Sequence, residues 1–467
     1  MTAATISARL ERLPVGPWHR KLVAVIGIGA FYEYFEVFLG GVLAAVLKPV
    51  WQLDTFQTAS LIGSVFLGMF IGAMTLSRLA DIVGRKRMFV VNLSIYLGFS
   101  LLAAFSPNVE FLIICRILAG IGAGAEAALI PTYLAEFIPR KLRGRYIGYA
   151  FTTAFLAYPA VALIGAPLAK AFFLFEGWRW LMVIAASGIV LILWIRRSLP
   201  ESPRWLLSVG RYEAAEREMQ SIERQVEKSA GPLPELDVSS IDLEANHIVE
   251  AKKVSILELF RGQNARRMIA VGSLWTLGVL AYYGFSSLAP MLLISKGFNI
   301  TQSLLYTSAI AVGYPLGALC CALVAERFER RTLTVVSGLV TAAAGMVCGF
   351  TDSTAIILVS GFIIGFVSNI YSTSTNMYAS EVFPTRLRST AIGVCYGSGR
   401  LFALALPFLG LPVLTAFGGS GVLIGSAVLY VVTAILVLLF GPKTTGRTLE
   451  DAAEDTAENV AAAVLVK

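Results

Sequence analysis

Charge is scarce in this chain: Asp, Glu, Lys and Arg make up 15% of its 467 residues, against about 25% in soluble domains. A soluble enzyme of this length would need polar outer helix faces that the sequence cannot supply. Histidine is scarcer still, with only His19 and His247. The five cysteines, Cys115, Cys320, Cys321, Cys348 and Cys395, all fall in apolar runs, which excludes a disulfide framework and C-x-x-C metal spacing. No G-x-x-x-x-G-K-[ST] stretch occurs, so no nucleotide site is expected. Neither a cofactor nor an enzymatic centre is expected. What the chain has in excess is apolar sequence, 57% of the total, recurring from Leu22 to Phe440 in runs of about 20 residues, the length that crosses a bilayer.

Breaking those runs at charges and at Gly, Pro and Asn clusters gives twelve spans, at 22–47, 58–79, 88–105, 109–134, 146–171, 178–197, 267–295, 302–325, 332–350, 354–380, 389–416 and 420–440. Connections as short as 106–110 and 418–421 join only antiparallel neighbours, so the expected fold is an all-α membrane protein. The net charge of +8 suggests nucleic acid until the basic residues are located. The N-terminal arm, the 2–3, 4–5, 6–7, 8–9 and 10–11 connections and the C-terminal tail hold 32 of the 38; the other side has only Lys48, Lys170, Arg179 and Lys296. By the positive-inside rule both termini are cytoplasmic, and nucleic-acid binding loses its support. The apolar run after the basic first 21 residues contains two Glu, so it reads as a retained first span in a bacterial inner membrane rather than a cleaved signal.

The segment AEFIPRKLRGRYIG (135–148) matches SEVFPTRLRSTAIG (380–393), with Glu136/Glu381, Pro139/Pro384, Arg143/Arg388 and Gly148/Gly393 all 245 residues apart. The same offset carries Asp81 to Glu326 and Arg85 to Arg330. The expected organisation is an arm (1–21), a six-helix bundle (22–197), a polar linker (198–266), a second bundle (267–440) and a tail (441–467). Parallel six-span repeats around a midplane site are a transporter plan. RLADIVGRKR (78–87), its echo AERFERR (325–331), Arg116 opening RILAGIGAG, and PESPRWLL (200–207) then make the sequence resemble the major facilitator superfamily over nearly its whole length, in its sugar-porter and organic-ion branches. The resemblance implies a two-bundle fold, alternating access, and cytoplasmic gates formed by Asp81, Arg85, Glu136, Arg143, Glu326, Arg330, Glu381 and Arg388. From the residues alone Glu136 could pair with Arg143 or Arg145, and Glu381 with Arg388. As plain surface pairs they would contribute under about 1 kcal/mol each.

Five charges lie inside spans: Glu33, Glu36, Arg116, Glu126 and Arg400. Each costs roughly 2.5 kcal/mol or more near the bilayer centre unless it is paired, neutral or hydrated. The 245 offset puts Gly278, Ala281, Gly361 and Tyr371 opposite the first four, so the scaffold itself does not require them. At about 1.5 Å per residue, span one and span four bring Glu36 level with Arg116 and Glu33 near Glu126. Two carboxyls crowded in low dielectric would share a proton, and with both histidines outside the spans, Glu33, Glu36 and Glu126, with Arg116, are the groups available for proton coupling. FYEYFEVF (31–38) resembles the two-acid motif of niacin-type and aromatic-acid proton symporters, whereas sugar porters pair one acid with the span-four Arg.

Arg400 bears on the substrate. The run from Arg388 to Pro407 resembles span eleven of organic-ion transporters, where anion carriers tend to have Arg at this place, and guanidinium offers a carboxylate two parallel hydrogen bonds. A permanent ion pair with one of the span-one or span-four acids is the competing role. Asn369, Thr373 and Asn376 share one face of span ten; Tyr282, Tyr283, Tyr371, Tyr378 and Tyr396 could wall a planar ring, though any one of them also fits helix packing. Gly120, Gly122 and Gly124 read as close helix contact. The expectation is a proton-coupled symporter that takes up a small organic anion such as a nicotinate-like carboxylate, acting as a monomer in the lipid bilayer. A proton-coupled sugar or polyol porter, or a transporter-shaped receptor that does not cycle, are the alternatives.

Overall fold

In a computed structural model of the chain, residues 3–190, 198–236, 256–324, 327–383 and 385–443 are described; the side chains of Asp81 and Arg388, and all of Glu326, fall outside the description. Apart from two paired two-residue strands, Phe172–Phe173 and Phe175–Glu176, regular structure among the described residues is helical. Ten continuous helical stretches are long and apolar enough to cross a membrane. One of them, ending at Phe440, holds both final spans, which part at Gly418 where φ is 66°. Span six starts as Gly177–Ala186 and runs on toward residues outside the description. With that start counted as span six, twelve spans are represented among the described residues.

The remaining spans are Pro17–Val50, Thr55–Val83, Arg85–Ala103, Val109–Phe137, Arg140–Phe155 continuing as Ala157–Leu168, Gly262–Ser286 with Ala289–Ser295, Ile300–Ala311 with Gly313–Val324, Arg330–Phe350 and Thr354–Val382. Short polar residues start several of them by accepting backbone N–H groups that the first helical turn leaves open. Asp54 and Gln57 form a reciprocal capping box at span two (2.7 and 3.2 Å), Asn108 caps span four (2.9 Å), and Asn299 with Gln302 does the same at span eight (2.9 and 3.3 Å). Between spans two and three the chain reverses at Gly84, whose φ of 113° is disfavoured for any residue with a Cβ.

The chain divides into two compact units, Met1–Ala251 and Lys252–Lys467. In the first, span two lies on span four through glycines: a Cβ on Gly68 or Gly72 would overlap the carbonyl oxygens of Ile117 and Ile121, and one on Gly120 or Gly124 those of Val65 and Met69. In the second, Gly313 and Gly317 press in the same way on the backbone of Phe362 and Phe366. Each of these four positions is its first-unit counterpart moved by 245 residues. The repeat is therefore written into the helix seams, where small residues allow the backbone approach that membrane helices use in place of hydrophobic association.

The first unit also includes the arm helix Ala3–Glu11 and the linker helices Pro203–Ser208 and Tyr212–Ala230. Ala215, Met219, Ile222 and Val226 form the buried stripe of the last of these, at the spacing of an amphipathic helix. Arg9 bridges Glu216 (2.8 Å) and Glu223 (2.5 Å), and Arg12 adds a second contact to Glu223 (2.7 Å). In PESPRWLL, Glu201 accepts from the backbone N–H groups of Lys86 and Ser202 (3.1 Å each), and Pro200 accepts from the Tyr133 hydroxyl. The motif thus caps the first turn of span three.

The hydrogen bond from Arg9 holds the Glu216 carboxyl below its ordinary value. Burial pushes Glu223 up, but the bonds from Arg9 and Arg12 outweigh it and the net shift is down. Carboxyls depressed in the folded state stabilise it fully above their unfolded pKa and lose that contribution as pH falls through the depressed values. Hydrogen-exchange protection of residues 3–11, corrected for intrinsic rate, is therefore expected to stay level down to about pH 5 and to fall below about pH 4, whereas Glu223→Gln lowers it already at neutral pH.

Candidate functional site

The first unit carries a polar centre inside its apolar bundle. Glu36 and Arg116 are 1% and 0% exposed and meet at 2.9 Å. The other Glu36 oxygen accepts from the Ser100 hydroxyl (2.8 Å), and Arg116 donates to the backbone carbonyls of Glu36 and Leu61 (3.3 Å each). Gly40, one turn beyond Glu36, leaves the room the guanidinium needs: a Cβ there would lie 2.9 Å from Nη2. Both charges are hydrogen-bonded, the condition under which a buried ion pair is tolerated.

Glu33 and Glu126, also 1% and 0% exposed, stand within electrostatic reach of each other. The Glu126 carboxyl lies against span one at Gly29, where a Cβ would sit 3.1 Å from Oε1 and 3.0 Å from the Phe89 ring. Neither Glu126 oxygen has a hydrogen-bond partner among the described residues. Tyr96 donates to the Gly29 carbonyl (3.3 Å) and is coupled electrostatically to both acids. Depth counting had thus placed both acidic neighbours correctly. It had missed Asn92, Tyr96 and Ser100, which are buried in span three and whose four-residue spacing in an apolar helix is a signal available in the sequence.

In the second unit Arg400 is half-buried. Its Nη1 donates to the Tyr283 hydroxyl (3.1 Å), Nη2 to the Tyr396 hydroxyl (2.7 Å), and the guanidinium lies 4.6 Å from the Tyr396 ring centre. Trp275 continues the aromatic surface, 5.5 Å from Tyr396 between ring centres. Tyr282 meets Tyr283 edge-on at 5.1 Å and lines a cavity with Phe285, Ser368, Ser426 and Tyr430.

Other expected wall residues do not join Arg400. Tyr371 is buried edge-on against Tyr430 at 5.1 Å, and its hydroxyl fills the space a Cβ on Gly278 would need. Tyr378 is buried and donates to the Pro442 carbonyl (2.8 Å). Asn369 is buried and spends its amide on the Tyr314 carbonyl (2.5 Å); Asn376 is exposed and bonds Ser372 of its own helix (2.8 Å). Thr373 is half-buried beside Cys321. One face of span ten is therefore divided between neighbours, because helical spacing gives a common direction but not a common environment.

Among the described side chains, Glu136 pairs with neither Arg143 nor Arg145, while the expected Glu381–Arg388 pairing involves a side chain outside the description. Glu136 takes Arg85 at 3.3 Å, and Glu381 takes Arg330 at 3.2 Å. The two pairs repeat each other at the 245 offset, Nε to Oε1 in both. Arg143 instead bonds Glu11 at 3.5 Å. The Arg85 pairing spans 51 residues and joins the start of span three to the end of span four, a contact that a local reading of the turn does not contain. Asp81, Glu326 and Arg388 lie outside the described side chains.

Two repeated six-span bundles, in which charge inside the spans is confined to a few buried positions, have the architecture of the major facilitator superfamily, a class of membrane transporters. The sequence matches the family described as "Sugar (and other) transporter" over residues 28–455, and the chain belongs to that family. It is 31% identical over 444 residues to YyaJ of Bacillus subtilis, provisionally named a metabolite transport protein, covering 94% of this chain and 96% of that one. To the niacin transporter NiaP of Acinetobacter baylyi it is 28% identical over 447 residues, covering 95% and 98%. Among solved structures, the proton:xylose symporter XylE matches with a TM-score of 0.71 at 19% identity, covering 93% of this chain and 98% of XylE.

Breaking the buried pair from one side strands the other charge, a loss of about 3–5 kcal/mol, whereas apolar replacement of both partners is close to neutral. Arg116→Met is accordingly expected to unfold at clearly lower temperature than the parent in detergent, and Glu36→Leu/Arg116→Met to recover most of that loss.

Proposed function

We propose that the chain is a proton-coupled symporter that brings a small organic anion, a carboxylate on a planar ring of the nicotinate kind, into the cytoplasm of a bacterial cell, with both termini on the inner side. The observation that carries the anion is Arg400. Tyr283 and Tyr396 orient its guanidinium through hydroxyls, which hold the fork in place without discharging it, and Tyr396 and Trp275, inclined at 59° to each other, supply aromatic surface beside it. A carboxylate can take two parallel bonds from such a fork while its ring lies on the aromatic face. Proton coupling is assigned to Glu33 and Glu126, two neighbouring buried carboxyls that hold a proton more readily than two charges. Glu36 is tied up by Arg116 and Ser100, which makes it a structural acid. The paired turns Arg85/Glu136 and Arg330/Glu381 are assigned to gating between the two access states. Similarity to NiaP supports the substrate class, and the fold shared with XylE supports coupling to protons.

A sugar or polyol porter is the second reading, favoured by one observation: Glu36 and Arg116 form the acid and base pair that sugar porters are expected to share between spans one and four. Uptake separates the two. Losing a hydrogen-bonded charge pair with substrate costs about 1.5–3 kcal/mol, so Arg400→Ala is expected to raise KM for a labelled aromatic carboxylate about 10- to 100-fold, with Arg400→Lys recovering only part. Hexose uptake that exceeds carboxylate uptake and is indifferent to Arg400 would favour the sugar reading.

A further inference from the structure

The loop between spans five and six exposes three consecutive large apolar side chains, Phe172, Phe173 and Leu174, at 78%, 67% and 77%. It is a built hairpin. Phe172 pairs with Glu176 and Phe173 with Phe175, which leaves Leu174 at the tip with φ 63°, a backbone region unfavourable for a residue with a branched side chain. Trp180 donates its indole N–H to the Phe173 carbonyl (2.8 Å) and stacks on Phe175 at 4.7 Å. Gly177 bonds back to Ala171 (2.9 Å), and a Cβ on it would overlap the Leu168 carbonyl. Arg179 bridges Glu176 (3.1 Å) and donates to the carbonyls of Ala104 and Ser106 (2.8 and 2.9 Å). The tip is thereby fastened to the end of span three, where Phe105 is likewise exposed.

Exposed apolar residues on the spans are covered by lipid, and Phe105, flanked by the two carbonyls that Arg179 holds, joins the hairpin to that surface. Five crossings separate it from the N-terminal arm, so it stands on the opposite face of the membrane. We propose that this hairpin is a bilayer anchor: Phe172, Phe173 and Leu174 enter the phospholipid interface, with the Trp180 indole and the exposed Lys170 ammonium at headgroup level. Aromatic rings and long cationic side chains favour that depth because they have an apolar body and a polar end. Water does not suit three adjacent apolar side chains held rigidly outward, and the continuity with the lipid-facing helices selects lipid over a protein partner. The anchor would fix the height at which the chain turns from span five into span six.

The test uses the full-length protein in vesicles of phosphatidylethanolamine and phosphatidylglycerol, with Cys320, the native cysteine that is not fully buried, replaced by Ala. A spin label at Leu174→Cys is compared with one at Gln52→Cys, on the exposed turn after span one and hence on the same face. The ratio of collisions with oxygen to collisions with a water-soluble nickel chelate is expected to be several-fold higher at 174 than at 52, and to drop toward the value at 52 when Phe172→Ser/Phe173→Ser is added. Equal ratios at 174 and 52 would overturn the proposal, as would shielding of 174 from both reagents, which signals a protein partner or a second copy. If the double serine variant does not fold, the ratio at 174 against 52 decides the matter by itself.

Discussion

A guanidinium inside a lipid-embedded bundle must be matched group by group, and the first unit is arranged around that demand. Arg116 stands on span four; its partners come from span one (Glu36) and span two (the Leu61 carbonyl), while Ser100 of span three completes Glu36. Four spans are thus tied at one point in a medium where an unmatched charge is expensive. With that point fixed, helical geometry dictates the rest: Glu33 comes one turn from Glu36 on the same span, and Glu126 comes against Gly29. On the proposed reading, the other two acids carry the proton chemistry.

The second unit repeats the scaffold and not the charges. The glycine seam and the Arg–Glu turn pair recur at the same offset, whereas Gly278, Ala281, Gly361 and Tyr371 occupy the places of the four ionisable residues. Tyr371 packs against Tyr430 and Gly278, so in the second bundle aromatic volume occupies the places that Glu33 and Glu126 hold in the first. Arg400 has the converse history: its first-unit equivalent is Phe155. Where two repeats share a fold, the departures from repetition mark function more clearly than the repetition does.

The spans, their order and the duplication were legible because a bilayer imposes length and apolar composition on every crossing. The Glu36–Arg116 pair was legible because residue count along a helix measures depth. What lay beyond reach were contacts set by how helices seat on one another. Arg85 reaches Glu136 because the start of span three is seated against the end of span four, and the fate of each span-ten polar group depends on which neighbour it meets. The Gly68/Gly313 and Gly72/Gly317 repetition is present in the sequence and locates the contact of span two with span four. The hairpin at 172–176 falls in the connection between spans five and six (146–171 and 178–197), and an apolar pattern that locates spans does not specify how the chain turns between them.

On the proposed reading, the transport cycle divides its work between a fixed pair, Glu36 with Arg116, and a protonatable pair, Glu33 with Glu126. The most direct measurement follows pH outside proteoliposomes as an aromatic carboxylate is added, alongside substrate accumulation under an imposed proton gradient, for the parent, Glu126→Gln and Glu33→Gln. The parent should draw protons inward with substrate. At least one of the two variants should still exchange substrate across the membrane while losing both the proton movement and gradient-driven accumulation. A parent that moves the acid with no proton signal, or gradient-driven accumulation that survives in both variants, would contradict it.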